Sequence, residues 1–332
     1  MPRTPRPAPT GQLPFRELWR TDATLRTLLK VTAVDTIGRG SFFTLTALYL
    51  TLILGIDAVQ VGLGLTIAGA VGVLAALAGG HLADRYSSRT LLISSHVVQG
   101  LALAAYVLVR DLPTLIAVAA VVAGAQQFGA SVRSAVIGRA FEGDQRVRIR
   151  AIMRTVTNSG IAIGTAFAAI PLAFNTAGAY RITMVLSAAL LLIAAVLLRA
   201  LDPARVDRAS VPDKAPDDAA EPQPVAVAGP HPSPYKNPQF LALTILSGLF
   251  AIQFGLFEVA VPLWVVKHTD APSVIVSPLL IVNTVIAVSL TVSMSRGTAT
   301  VTGARRAMTQ PGGLWAAAAP FGAWAAHRPW AT

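Results

Sequence analysis

GGHLADRYSSRTLL, residues 79–92, is a charged break in apolar sequence. From Ala58 to Val109 the only formal charges are Asp84, Arg85 and Arg89, all inside this stretch. The uncharged runs on either side, 58–80 and 90–109, are each about twenty residues long. That length lets a helix cross about 30 Å of hydrocarbon, so the stretch reads as a hairpin joining two membrane spans.

The rest of the chain repeats this pattern. Of its 332 residues 54% are hydrophobic and only 13% charged, about half the charged content of a soluble domain. Apolar runs predict nine spans, at 31–54, 58–80, 90–109, 113–136, 155–175, 179–198, 239–266, 273–294 and, more weakly, 312–326. The expected fold is therefore an all-α polytopic membrane bundle. Residues 199–238 break the series: they hold nine of the 22 prolines and six of the 16 acids, the composition of a polar linker. The domain reading that follows is a tail over 1–30, a six-helix bundle over 31–198 and the linker over 199–238. A partial second bundle over 239–326 and a short tail over 327–332 complete it.

The net charge of +11 has a topological explanation. With the N-terminus in the cytoplasm, 21 of the 27 lysines and arginines fall in cytoplasmic segments and four in outer ones. This is the positive-inside pattern, and it argues against nucleic acid as a partner. The bias toward arginine and alanine suggests a bacterial source, so the location expected is the inner membrane. MPRTPRPAPTGQLPF has no apolar core of the kind a secretory signal needs. Cysteine is absent and the five histidines are scattered, so no metal or cofactor is expected. Nor does any catalytic constellation converge, which speaks against an enzyme.

Gly80-His-Leu-Ala-Asp84-Arg85-Tyr-Ser-Ser-Arg89-Thr-Leu-Leu92 resembles the loop 2–3 signature of the major facilitator superfamily, G-x-L-A-D-R-x-G-R-K-x-x-L. Seven positions agree; Ser87 stands where the family has glycine and Ser88 where it has a basic residue. The resemblance implies a gate: Asp84 as central anion, Arg85 and Arg89 as cationic neighbours, with Glu142 or Asp144 placed to receive Arg89. In span 2, Gly64, Ala68, Gly72, Ala76 and Gly80 recur every four residues as a smooth ridge for close packing. Residues 38–51 also align with 253–266 at an offset of 215, as in two-halved transporters.

Polar residues inside spans are costly and mark function by default. Asp35 and Arg39 lie four apart on one face of span 1; they read either as a self-neutralising pair or as a coupling acid tuned by its arginine. Glu258, with Gln253 nearby, is an acid near the middle of span 7 and a candidate proton or substrate contact. In span 4, Gln126, Gln127 and Arg133 are candidate cavity residues, Arg133 with a plain alternative as a residue snorkelling to the inner surface. Gln127-Phe-Gly129-Ala130 loosely echoes a motif of the family's antiporters, although their leading arginine is missing.

The resemblance thus implies alternating-access transport of a small molecule, coupled to protons, in the export direction by analogy. It also implies twelve spans where nine fit, so the chain reads as a C-terminally truncated member. The alternative reading follows: a transport-incompetent remnant or membrane scaffold, or a chain needing a second polypeptide to supply the missing helices.

Overall fold

The computed structural model describes residues 19–141, 143–207, 237–255, 261–268 and 272–282. Six long helices form its body: α1 Ala23–Leu48, α2 Ala58–Ala83, α3 Ser88–Ala104, α4 Leu112–Ala140, α5 Gly143–Phe174 and α6 Ala177–Leu197. A short α7, Pro203–Val206, follows, and beyond the linker come α8, Pro238–Gly255, and α9, Val261–His268. No strand occurs among the described residues.

Turn chemistry sets the boundaries. α1 runs into a π-helical turn, Tyr49–Ile53, and the chain reverses at Gly55, whose φ of +69° suits a residue without Cβ. Asp57 then caps α2 by accepting from the Val59 amide. Asp111 and Thr114 form a capping box at the start of α4, and Thr176 caps α6.

Among the described residues, five helical stretches are long and apolar enough to cross a bilayer: Ala58–Ala83, Ser88–Leu108, Leu112–Ala140, Arg148–Phe174 and Ala177–Ala200. α1 is as long as α2 but carries Asp35, Arg39 and several hydroxyls through its middle. Large apolar side chains such as Val59, Leu74 and Phe174 point outward, as expected where the surroundings are lipid. Two of the expected boundaries move. α1 starts at Ala23 and not 31, and α5 starts at Gly143 and not 155. No Gly or Pro interrupts the basic stretch 144–154, so the helix continues past the apolar run.

The packing has a simple order: α2 against α4, α4 against α3, α3 against α6, α6 against α1 and α1 against α5. Exchanging α1 with α4, α2 with α5 and α3 with α6 leaves this order unchanged, as expected of nested three-helix repeats. Backbones touch at α1/α5 and α2/α4. A Cβ at Gly40 or Gly164 would overlap a carbonyl of the facing helix, so only glycine permits that approach. On α2 the buried line is Val61, Gly64, Ala68, Gly72, Gly79 and Ala83. The expected ridge therefore holds to Gly72 and then shifts to Gly79. A strict four-residue step overshoots the helical repeat of 3.6, leaving Gly80 half-buried beside the Ser131 hydroxyl.

Two apolar clusters fill the bundle. One, at the hairpin end, gathers Leu25, Leu28, Leu92, Val132, Phe141 and Ile149. The other, at the far end, gathers Leu45, Tyr49, Tyr106, Leu115, Leu172 and Tyr180. Between them lies a layer of buried polar side chains: Asp35, Thr36, Ser41, Ser95, His96, Gln99, Thr165 and Ser187.

Candidate functional site

Two polar clusters stand out, one at the hairpin and one in the polar layer. At the hairpin, α2 ends at Ala83 with Asp84 as its C-cap, and α3 begins at Ser88. The signature acid Asp84 is paired with Arg139 of α4, at 2.7 Å. The same guanidinium donates to the Ala83 carbonyl at 2.8 Å and to Ser88 Oγ at 3.0 Å. Arg85 and Arg89, expected beside Asp84, form no ion pair among the described residues. The physical reason is reach. Arg139 approaches from the neighbouring helix and is mostly buried, whereas Arg85 stands in the exposed turn. Glu142 lies outside the described residues, as does the Asp144 side chain.

The segment after α6 joins this cluster. The first amides of α3 lack a cap from their own loop; Asp207 supplies one, accepting from the Ser88 amide at 2.6 Å. A carboxylate at a helix N-terminus also suits the helix dipole. Arg205 makes a two-pronged contact to Asp22 at 3.0 and 2.7 Å and lies 5.5 Å over the Phe141 ring. Asp22 itself caps α1 through the Leu25 amide. The ends of α1, α3 and α4 are thereby tied to one strap. A cavity of about 390 Å³ opens among Asp84, Arg85, Tyr86, Arg139 and Asp207.

In the polar layer, Asp35 is buried, and its carboxylate lies 3.6 Å from Arg133 of α4. This changes both expectations about these residues. Asp35 is not closed off in a pair with Arg39, and Arg133 is not a surface snorkeller. α4 brings Arg133 inward where Gly129 lets it pass close to Ser95 of α3. Arg39 remains within the cluster, with its Nε buried and without a partner among the described residues. His96 of α3 is buried in the same polar layer. Its Nδ1 sits 2.9 Å from the Leu92 carbonyl; a neutral ring donates there and leaves Nε2 as an acceptor. A carboxylate and a guanidinium thus pair within the bundle, with the buried Arg39 Nε and the His96 imidazole in the same polar layer.

Gln126 and Gln127 line a second cavity beside this layer. Gln253 falls on α8, and Glu258 lies outside the described residues. Sequence reasoning did not select Arg139, Asp207 or His96. For Arg139 a signal existed: the missing cation at Ser88 had to come from elsewhere. Neither Asp207 nor His96 had one, since each depends on a contact between distant segments.

A family model described as Major Facilitator Superfamily matches residues 28–331. No curated protein matches the chain.

Proposed function

The chain belongs to the Major Facilitator Superfamily and is a multi-pass membrane transporter of small solutes; we propose that it is a proton-coupled exporter using Asp35 as its coupling acid. The buried Asp35–Arg133 pair carries this reading. An acid paired to a base inside a bundle is a two-state element: protonating the carboxylate removes its attraction for Arg133 and frees that helix contact. Arg39 and His96 set the local charge against which the proton is taken up and released. The strap at the hairpin end then holds the ends of α1, α3 and α4 together while the body rocks. A cytoplasmic N-terminus and residence in a bacterial inner membrane belong to the same proposal, supported by the arginine distribution, and export direction belongs to it by analogy only. Glu258 and Gln253 are proposed as further proton or substrate contacts contributed by the second half.

The test is solute-driven proton movement in proteoliposomes carrying an entrapped pH dye. Wild type is expected to show it, and Asp35→Asn to lose it while remaining inserted and folded by circular dichroism. Asp35→Glu, which keeps the charge, should restore part of the signal. Proton movement undiminished in Asp35→Asn would refute Asp35 as the coupling acid. No flux of any solute from folded wild-type protein would favour the remnant or scaffold reading.

A further inference from the structure

A cavity of about 280 Å³ lies between α1, α2 and α4, closed at one side by the end of α3. None of its lining residues among the described ones is charged. Its walls carry Phe42, Phe43 and Tyr106, with the Phe42 and Tyr106 rings 4.9 Å apart and edge to face. It begins one helical turn beyond Arg39 and two beyond Asp35, so the charged cluster lies to one side of it.

Besides Thr46, whose hydroxyl donates to the Phe42 carbonyl, three polar side chains line this apolar space: Tyr106, Gln126 and Gln127. None of the three has a hydrogen-bond partner among the described residues. Each offers both a donor and an acceptor. Two adjacent glutamines facing an aromatic-walled space with unused hydrogen bonds suit a ligand that supplies the missing partners. An ion entering it would leave water without meeting a counter-charge, which is strongly unfavourable. The volume sits just below the range of about 300–1,000 Å³ typical of drug-sized sites, which limits the occupant to one or two rings.

We propose that this cavity is the substrate site and that it takes a neutral, flat aromatic molecule bearing an amide- or alcohol-type group. The ring would pack against Phe42, Phe43 and Tyr106, and the polar group would bridge Gln126 and Gln127. The inference rests on the transport reading above and adds the class of solute to it.

The test is equilibrium binding of radiolabelled benzanilide, a neutral two-ring amide, to the full chain in nanodiscs, with empty nanodiscs as the partition control. Saturable binding is expected for wild type. Replacing Gln126 and Gln127 together by leucine should weaken it about 10-fold, the effect of losing a hydrogen bond or two. Ala119→Trp, which fills the cavity, should abolish it. Tetraphenylphosphonium and benzoate, aromatic ions of either sign, should compete poorly. Absence of saturable binding to folded protein would overturn the proposal, as would binding indifferent to all three substitutions or equal competition by either ion. Binding is measured without a gradient, so it is independent of proton coupling. Saturable benzanilide binding with no transport of any solute, benzanilide included, would sink the transport reading alone. Proton-driven movement of another solute without benzanilide binding would sink only the solute class.

Discussion

Arg139→Ser should loosen the hairpin, and moving the cation to Ser88 should tighten it again. Arg139 makes three contacts, to the Ala83 carbonyl, Ser88 Oγ and Asp84. Hydrogen bonds to charged groups contribute about 1.5–3 kcal/mol each when shielded from water. The Asp84 contact is worth less, about 0–1 kcal/mol, because that carboxylate is 73% exposed. The cation also lies at the C-terminal end of α2, adding about 0.3–1 kcal/mol through the helix dipole. The three contacts share one guanidinium and do not add fully, so the loss comes to about 3 kcal/mol. That corresponds to a fall of roughly 6–12 °C in the unfolding midpoint of a body this size. Arg139→Lys should recover part of it, since an ammonium cannot hold the fork. The decisive variant is the double substitution Arg139→Ser with Ser88→Arg. Ser88 is fully buried, so an arginine there fits only when Arg139 has left its space. Thermal unfolding in nanodiscs reads the stability. A single cysteine introduced near the hairpin reads its opening by labelling rate, and the chain has no native cysteine to interfere. A midpoint unchanged in Arg139→Ser, or a double variant no better than the single one, would refute the idea that α4 supplies the hairpin's missing cation.

Two further outcomes are expected. A Cβ at Gly164 would overlap the Ile37 carbonyl and stand 2.8 Å from the Ser41 amide, whereas nothing lies within 4 Å of one at Gly62. Gly164→Ala should therefore destabilise by about 1–3 kcal/mol, and Gly62→Ala should be neutral or stabilising by up to about 1 kcal/mol; equal melting of the two variants would contradict the α1/α5 contact. The Thr114 hydroxyl, with its backbone amide, holds the exposed Asp111 carboxyl below its ordinary value of 3.8. A depressed carboxyl stabilises above the unfolded pKa and loses that contribution as pH falls through the folded one. The α4 cap should thus weaken only in acid, below about pH 4, and Thr114→Val should move the loss to higher pH. A carboxyl-carbon NMR titration of Asp111 with the same midpoint in both proteins would exclude this cause.

The features legible in the sequence were those written in short stretches. Span positions follow from runs of about twenty uncharged residues, and the hairpin from Asp84, Arg85 and Arg89 standing alone among them. Boundaries slipped where apolar length and helical length differ, as at 143–154. Hydropathy reports what lipid tolerates, whereas a helix stops only where its backbone hydrogen bonding is broken.

What the sequence by itself determined is that the chain crosses a membrane many times, which hairpin belongs to the family signature, and which residue types are out of place in lipid. The tertiary structure decided their partners: Asp35 with Arg133 and not Arg39, Asp84 with Arg139 and not Arg85 or Arg89, and Asp22 with Arg205 across the whole six-helix body. It also decided that Gln126 and Gln127 look into an uncharged aromatic cavity. The physical reason is common to all of these. In a membrane bundle both the lipid-facing and the buried faces of a helix are apolar, so periodicity does not reveal which face turns inward. Close backbone contacts such as Gly40 on Ile161 and Gly79 on Phe128 settle that rotation. Only then does it follow which charges meet.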